Sequence, residues 1–258
     1  MSPLVFITGA SSGIGQSLAW RYYQAGYSLA LVARRTAEIQ AWASVRGLQA
    51  DRFAVYSADV AASDSIVAAA QLCLQQQGLP DVVIANAGIS IGMDTADRAD
   101  LDVMARTFAT NNVGLAATFH AFIDGMVRRG SGRLVGVGSV AGIRGLPGHG
   151  AYCASKAAVI AYCESLRGEL RDSGVKVVTI CPGYIDTPLT RQNRYAMPFL
   201  MQVDDFSKQA FRAIASGASY RVIPWQMGWV AKLLRLLPNA LYDKALSGRP
   251  RKRRATQV

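Results

Sequence analysis

Short apolar runs alternate with longer helical patterns through the first 180 residues, and no other feature constrains the fold as tightly. Leu4–Thr8 reads LVFIT and Ser28–Ala33 reads SLALVA, with no alternation between an apolar and a polar face. Strands apolar on both faces belong to a sheet covered on two sides, and parallel neighbours need a helical crossover between them. The same pattern predicts strands at Phe53–Tyr56, Asp81–Ala85, Arg133–Val137 and Val175–Ile180, with a short last one at Tyr220–Pro224. Helices are predicted over 16–25, 36–45, 63–77, 101–129 and 152–172, the first closed by Gly26. No internal repeat or linker interrupts the order, so the chain is expected to be α/β: one doubly wound domain with a mainly parallel seven-stranded sheet and helices on both faces.

Composition narrows the function classes. At 51% apolar and 17% charged residues, the chain is neither disordered nor fibrous. The net charge of +11 is uneven: residues 225–258 carry eight basic side chains and one acid, so the body is only weakly basic. A nucleic-acid-binding face would spread its charge along the body, so no nucleic-acid partner is expected. Four cysteines form no CxxC pair, and His120 and His149 are the only histidines, so no metal site is expected. No cationic leader precedes the first apolar run, and polar residues break every long uncharged run. The expectation is a reduced, cytoplasmic protein.

Three segments are distinguished. Residues 1–224 form the Rossmann-type domain, within which 187–216 breaks the rhythm and is expected to lie as a lid over a pocket. Residues 225–248 read as an apolar, amphipathic helix packed on the body or a neighbouring subunit, with peripheral membrane contact through 225–254 as the alternative. Residues 249–258 read as a basic, disordered tail.

The loop Thr8-Gly9-Ala10-Ser11-Ser12-Gly13-Ile14-Gly15 falls between the first strand and the first helix. Glycines there let the backbone approach a pyrophosphate, and the helix N-terminus offers it N–H groups and partial positive charge. The second strand ends Ala33-Arg34-Arg35. A carboxylate at this place would bind the 2′-hydroxyl of NAD; two guanidiniums suit a 2′-phosphate, so NADP is the expected cofactor.

Ser139 follows the fifth strand, Tyr152 comes 13 residues later, and Lys156 lies one helical turn beyond. Hydride transfer to a carbonyl builds negative charge on its oxygen, which Tyr152 could protonate. Lys156 would favour the phenolate, and Ser139 would donate a second hydrogen bond to the oxyanion.

These motifs together resemble the short-chain dehydrogenase/reductase family. The resemblance rests on the glycine loop, Asp59-Val60, Asn86-Ala87-Gly88, Asn111-x-x-Gly114, Ser139, Tyr152-x-x-x-Lys156 and Pro182-Gly183-x-x-x-Thr187. It implies catalysis by Asn111, Ser139, Tyr152 and Lys156, with Lys156 on the nicotinamide ribose and Asn111 holding a relay water. It further implies that Asp59 and Val60 contact the adenine, and that Asn86, Ala87 and Gly88 steady the sheet centre beside the cofactor. Pro182, Gly183, Ile185 and Thr187 would border the nicotinamide, and the chain would form a homodimer or homotetramer through helices 101–129 and 152–172. The glycine loop carries Ser11 and Ser12 where NADP-preferring relatives often have a basic residue.

Pocket residues are expected from Ser90–Met93, Val140–His149 and Tyr184–Met201, with Arg144, His149, Arg191 and Arg194 as polar anchors. The lining is largely apolar, which suits an apolar or aromatic carbonyl substrate. An NADP-binding protein without catalysis is the alternative.

Overall fold

A computed structural model of the chain describes residues 2–193, 195–248, 251, 252 and 254. The seven strands are β1 (Leu4–Thr8), β2 (Ser28–Ala33), β3 (Phe53–Ser57), β4 (Val82–Ala85), β5 (Gly132–Val137), β6 (Val175–Pro182) and β7 (Tyr220–Ile223). They form one sheet in the order β3-β2-β1-β4-β5-β6-β7, and every pairing is parallel. The crossovers are α1 (Gly13–Gln24), α2 (Thr36–Arg46), α3 (Ser63–Gln76), α4 (Asp100–Phe108), α5 (Gly114–Arg129), α6 (Gly150–Glu169) and α7 (Val203–Ala215). After β7 follow α8 (Trp225–Leu236) and α9 (Asn239–Leu246).

Side chains alternate along each strand and feed two cores. From β1, Leu4 and Phe6 pack with α3, α5 and α6, where Phe6 meets Phe122 edge-on at 4.8 Å between ring centroids. Val5 and Ile7 pack on the other face with Leu18 and Tyr22 of α1, Ile39 of α2 and Phe206 of α7.

The single helix predicted over 101–129 is two α-helices joined by a π-helical turn, Ala109–Val113. Such one-turn widenings recur at functional sites, and this one carries Asn111. The α-helix restarts at Gly114, where a Cβ would lie 2.5 Å from the Val60 carbonyl oxygen.

The predicted lid divides. Its second half is α7, whose Phe206, Ala210, Ala213 and Ile214 are buried in the second core. Ser17 of α1 donates to Asp204 and lies within hydrogen-bond distance of Ser207. Only 187–202 remains as an excursion, closed at its base by a bridge between Ile185 and Met201. The two prolines of 187–202 hid the regular helix that follows.

The segment after β7 packs on the body by one side only. Met227 and Ala231 of α8 are buried, whereas Trp229 is 60% and Leu236 80% exposed. Arg144 fastens this segment to the domain: it donates to the carbonyls of Leu234 and Leu237 and to Asn239 Oδ1, and lies 3.7 Å over the Tyr242 ring. No described helix is long and apolar enough to cross a membrane.

The three described tail residues do not fit a solvated, disordered tail. Arg254 pairs with Asp97 and Asp100, Arg251 lies 4.0 Å from Asp94, and Arg254 bridges in parallel to Gly92. The rest of 249–258 lies outside the described residues. Carboxylates of the loop before α4 and of its first residue account for the difference, since each described guanidinium finds a partner there.

Candidate active site

The strand order reverses between β1 and β4, which places a crevice at the carboxyl ends of these strands. The β1–α1 turn lines it. Gly9 and Gly13 have φ of +69° and +56°, in the left-handed region. A Cβ on Gly15 would lie 2.3 Å from the Gly9 carbonyl oxygen and 2.7 Å from Asn86 Nδ2, so only glycine closes the loop this tightly. Asn86 pins the loop from β4, donating to the carbonyls of Thr8 (3.0 Å) and Gly9 (3.3 Å). The Thr8 hydroxyl accepts from Asn86 N and Ala87 N, both at 3.1 Å.

Helix α1 starts at this loop with no side-chain cap and no acid in its first turn. Its free N–H groups and dipole fit the pyrophosphate of a dinucleotide. Across the loop, Thr187 packs on Gly13, its Cβ 3.3 Å from where a Gly13 Cβ would stand. Ile14 is half-buried against the second core. Arg35 Nη2 donates to Ser11 Oγ at 3.5 Å, and Arg34 lies 3.6 Å from Asp59. The structure thus gathers Ser11, Arg34, Arg35 and Asp59 at one end of the crevice, beside buried Val60. Glu38 also pairs with Arg35, at 3.3 Å, so carboxylates temper both guanidiniums.

On the other side of the crevice, β5 runs into Ser139, and α6 carries Tyr152 and Lys156. Ser139 Oγ accepts from Ala141 N at 3.1 Å, which fixes the turn after β5. The Ser139 side chain lies beside the Tyr152 phenol and favours its ionised form. Lys156 Nζ donates to the Val137 carbonyl at 2.7 Å and sits 5.9 Å from the Tyr152 ring centroid. Gly88 packs against both Lys156 and Asn111; a Cβ there would be 3.5 Å from Lys156 Nζ and 3.2 Å from Asn111 Oδ1.

Burial pushes the Tyr152 phenol up to about 12, against the pull of the Ser139 side chain. Burial also pulls Lys156 down to about 8. The expected lowering of the phenol by Lys156 is not among the causes of its shift; desolvation dominates in this arrangement, which keeps Tyr152 a protonated donor at neutral pH.

Asn111 is buried in the π turn. It accepts from Ile89 N (2.8 Å) and donates to Ile89 O (3.0 Å) and Ser155 Oγ (2.9 Å). Its amide ties the loop after β4 to α6.

Ser139 and Tyr152 open onto a cleft of ≈ 830 Å³ counting its open mouth. Gly183, at the end of β6, lines it, while Pro182 and Ile185 are buried behind it. The wall is mostly apolar, with Val140, Leu146, Tyr184, Leu189 and Tyr195 from the expected segments. Of Ser90–Met93, Ser90 reaches the cleft, whereas Met93 is buried against α6 and accepts from Ala151 N.

The predicted anchors separate. Arg144 reaches the cleft wall, but its guanidinium is committed to α8 and α9 as described. Arg191 pairs with Asp186 at 2.7 Å, away from the lining. His149 is buried beside Tyr195 (Nε2 to Oη 3.3 Å), and burial lowers its pKa, which keeps it neutral. Arg194 lies outside the described residues. The residues that sequence reasoning missed are Met227, Val230, Ala231 and Leu234 of α8, Tyr242 of α9 and Lys252. The α8 set repeats at i, i+3, i+4 and i+7, a readable signal; Lys252 had none.

Among the described residues no cluster of His, Cys, Asp and Glu could hold a metal ion. The four cysteines are buried and free.

The family model described as short chain dehydrogenase matches residues 3–197. The chain belongs to that family, and with it to the oxidoreductases. An "Uncharacterized oxidoreductase" of Myxococcus xanthus (strain DK1622) is 37% identical over 239 residues, 93% of this chain and 94% of that protein. "Dehydrogenase/reductase SDR family protein 7-like" of Drosophila melanogaster is 38% identical over 191 residues; the match takes in 72% of this chain and 58% of that longer protein. Among solved structures, a short-chain dehydrogenase from Sphingobium yanoikuyae in complex with NADPH superposes with TM-score 0.77 at 27% identity, covering 92% of this chain and 97% of that one.

Proposed function

We propose that the protein is an NADP(H)-dependent oxidoreductase that interconverts a carbonyl and an alcohol, with Tyr152 as the general acid and base. The observation that carries this reading is the meeting of Ser139, Tyr152 and Lys156 where an apolar cleft joins the dinucleotide crevice. A bound nicotinamide dinucleotide supplies or takes up the hydride. The chain's own part is protonic and electrostatic. The Tyr152 hydroxyl gives its proton to the carbonyl oxygen as charge develops there, and takes it back in the reverse direction. The Ser139 hydroxyl donates to the same oxygen. Lys156, held by the Val137 carbonyl, sets a positive charge behind the phenol, and Asn111 fixes the loop that Lys156 packs against. Asn86, Ala87, Gly88, Pro182, Gly183, Ile185 and Thr187 shape the crevice for the nicotinamide end, and Asp59 and Val60 the adenine end. A hydroxyl donor and a phenol at the head of an apolar cleft argue against a protein that only binds the dinucleotide.

The substrate reading is an apolar or aromatic carbonyl compound, supported by the cleft wall. NADPH oxidation against ketones, aldehydes, quinones and 3-oxoacyl thioesters is expected to give turnover with at least one class. Failure with every class, while the dinucleotide binds, would leave only the binding reading.

NADP over NAD rests on Arg34, Arg35 and Ser11 at one end of the crevice. A charge-assisted hydrogen bond contributes about 1.5–3 kcal/mol. Arg34→Ala is thus expected to lower kcat/KM for NADPH by about tenfold or more while leaving NADH little changed. A wild type that prefers NADH would end this reading.

Exposed Leu101, Met104, Val113 and Tyr162 on α4 to α6 support a homo-oligomer through those helices. The outer stripe of α8, with Trp225, Trp229, Leu233 and Leu236, supports a peripheral contact between a cytoplasmic enzyme and an anionic membrane surface. Lys232 lies 5.2 Å over the Trp229 ring, which places positive charge beside that stripe. Sedimentation of the full chain, alone and with anionic vesicles, is expected to give a dimer or tetramer that partitions with lipid. A monomer that stays in solution would remove both.

A further inference from the structure

Among the described residues, the cleft has one cation whose charge is not committed to another described group. Lys252 lines its wall together with apolar residues of α8, and its ammonium, with three donors to offer, donates to Ser90 Oγ at 3.0 Å, its one hydrogen bond among the described residues. None of the ion pairs among the described residues includes it. Its neighbours differ. Arg251 and Arg254 are both paired, and Arg254 reaches Asp100, whose side chain is buried and also accepts from Asp94 N at 2.7 Å. Arg251 packs over Gly148, where a Cβ would approach its own Cβ to 3.0 Å. The tail is thus pinned on either side of Lys252, and the lysine is turned inward between the Ser90 loop and the start of α6.

A half-buried ammonium without a counter-charge is costly unless a ligand brings one. Among the described residues, the other polar groups facing the cleft do not bring it. His149 is neutral, the Arg144 guanidinium carries the same sign and is engaged, and Tyr152, Tyr195 and Tyr242 are phenols. The carboxylates of Asp94, Asp97 and Asp100 face the two arginines.

We infer that Lys252, with Ser90, is the binding point for a carboxylate on the substrate, so that the preferred substrates are oxo acids with an apolar body between the acid and the reacting carbonyl. One ammonium and one hydroxyl match a single monoanionic carboxylate; a phosphate dianion would call for more donors. This inference deepens the proposed carbonyl reduction and rests on it for the word substrate. Burial pulls Lys252 down to about 8, so the group is still mostly charged at neutral pH.

Two measurements on the full chain test it. The first is kcat/KM with NADPH for an aryl oxo acid and for its methyl ester. Wild type is expected to prefer the acid by about tenfold or more, Lys252→Met to lose that preference through KM with kcat unchanged, and Lys252→Arg to keep it. The preference should fade as pH rises through about 8, where Lys252 loses its proton. Taking the acid-to-ester ratio cancels the titration of Lys156 in the same range. The second is calorimetric binding of the matching saturated aryl carboxylate, which needs no turnover. Wild type is expected to bind it about tenfold or more tightly than Lys252→Met does. Absent turnover with carboxylate binding intact would sink the reaction reading alone. Equal binding by wild type and Lys252→Met, or an acid-to-ester ratio that Lys252→Met leaves unchanged, overturns the inference.

Discussion

Tyr152→Phe is expected to lower kcat with NADPH by about 10²–10⁴-fold, the usual contribution of a positioned general acid. Dinucleotide affinity, read by fluorescence titration, should stay at the wild-type value. The substitution removes one oxygen and keeps the ring, so α6 and the cleft wall retain their packing. Lys156 keeps its bond to the Val137 carbonyl, and Ser139 keeps its bond from Ala141 N. What is lost is the proton source. Burial holds that proton firmly, with the phenol pushed up to about 12, so the wild-type donor is fully loaded at neutral pH. Near-normal turnover in this variant would remove Tyr152 from its role.

The second large effect is expected at Gly15. In Gly15→Ala the new methyl carbon would stand 2.3 Å from the Gly9 carbonyl oxygen, and that neighbour is backbone, not a flexible side chain. Overpacking of this kind costs about 1–3 kcal/mol. The loop can relieve it only by opening, which moves the N–H groups of α1 away from a pyrophosphate. Dinucleotide binding is therefore expected to weaken by about tenfold to a hundredfold, with a lower Tm. Unchanged affinity in a folded Gly15→Ala protein would mean that the pyrophosphate is not held at this turn.

The sheet was legible because each strand is short, apolar on both faces and separated from the next by a helix-length pattern; β1 and β2 alone imply a covered parallel sheet. Ser139, Tyr152 and Lys156 were legible because a four-residue spacing on a helix is a statement about geometry. Three other features were not. Nothing in Thr110-Asn-Asn-Val-Gly114 signals that the turn would widen to a π-helix. The buried stripe of α7, Phe206, Ala210, Ala213 and Ile214, does follow helical spacing, but the proline-containing excursion before it drew the reading toward a lid. Lys252 stands among arginines in a basic run, and its placement depends on Asp100, 154 residues before Arg254 in sequence. Long-range charge pairing of this kind leaves no local pattern.

Arg144 has a consequence for how such a protein can change. It follows closely on the turn that holds Ser139, and it grips the carbonyls that end α8 and the ring of Tyr242. The cleft wall and the Ser139 hydroxyl are therefore one mechanical unit. A drift in α8 or α9 that accommodates a bulkier molecule would pull on Arg144 and so on the Ser139 turn. Breadth of choice and quality of alignment are thus coupled: this fold can widen its range of guests only by loosening its aim, unless Arg144 first lets go.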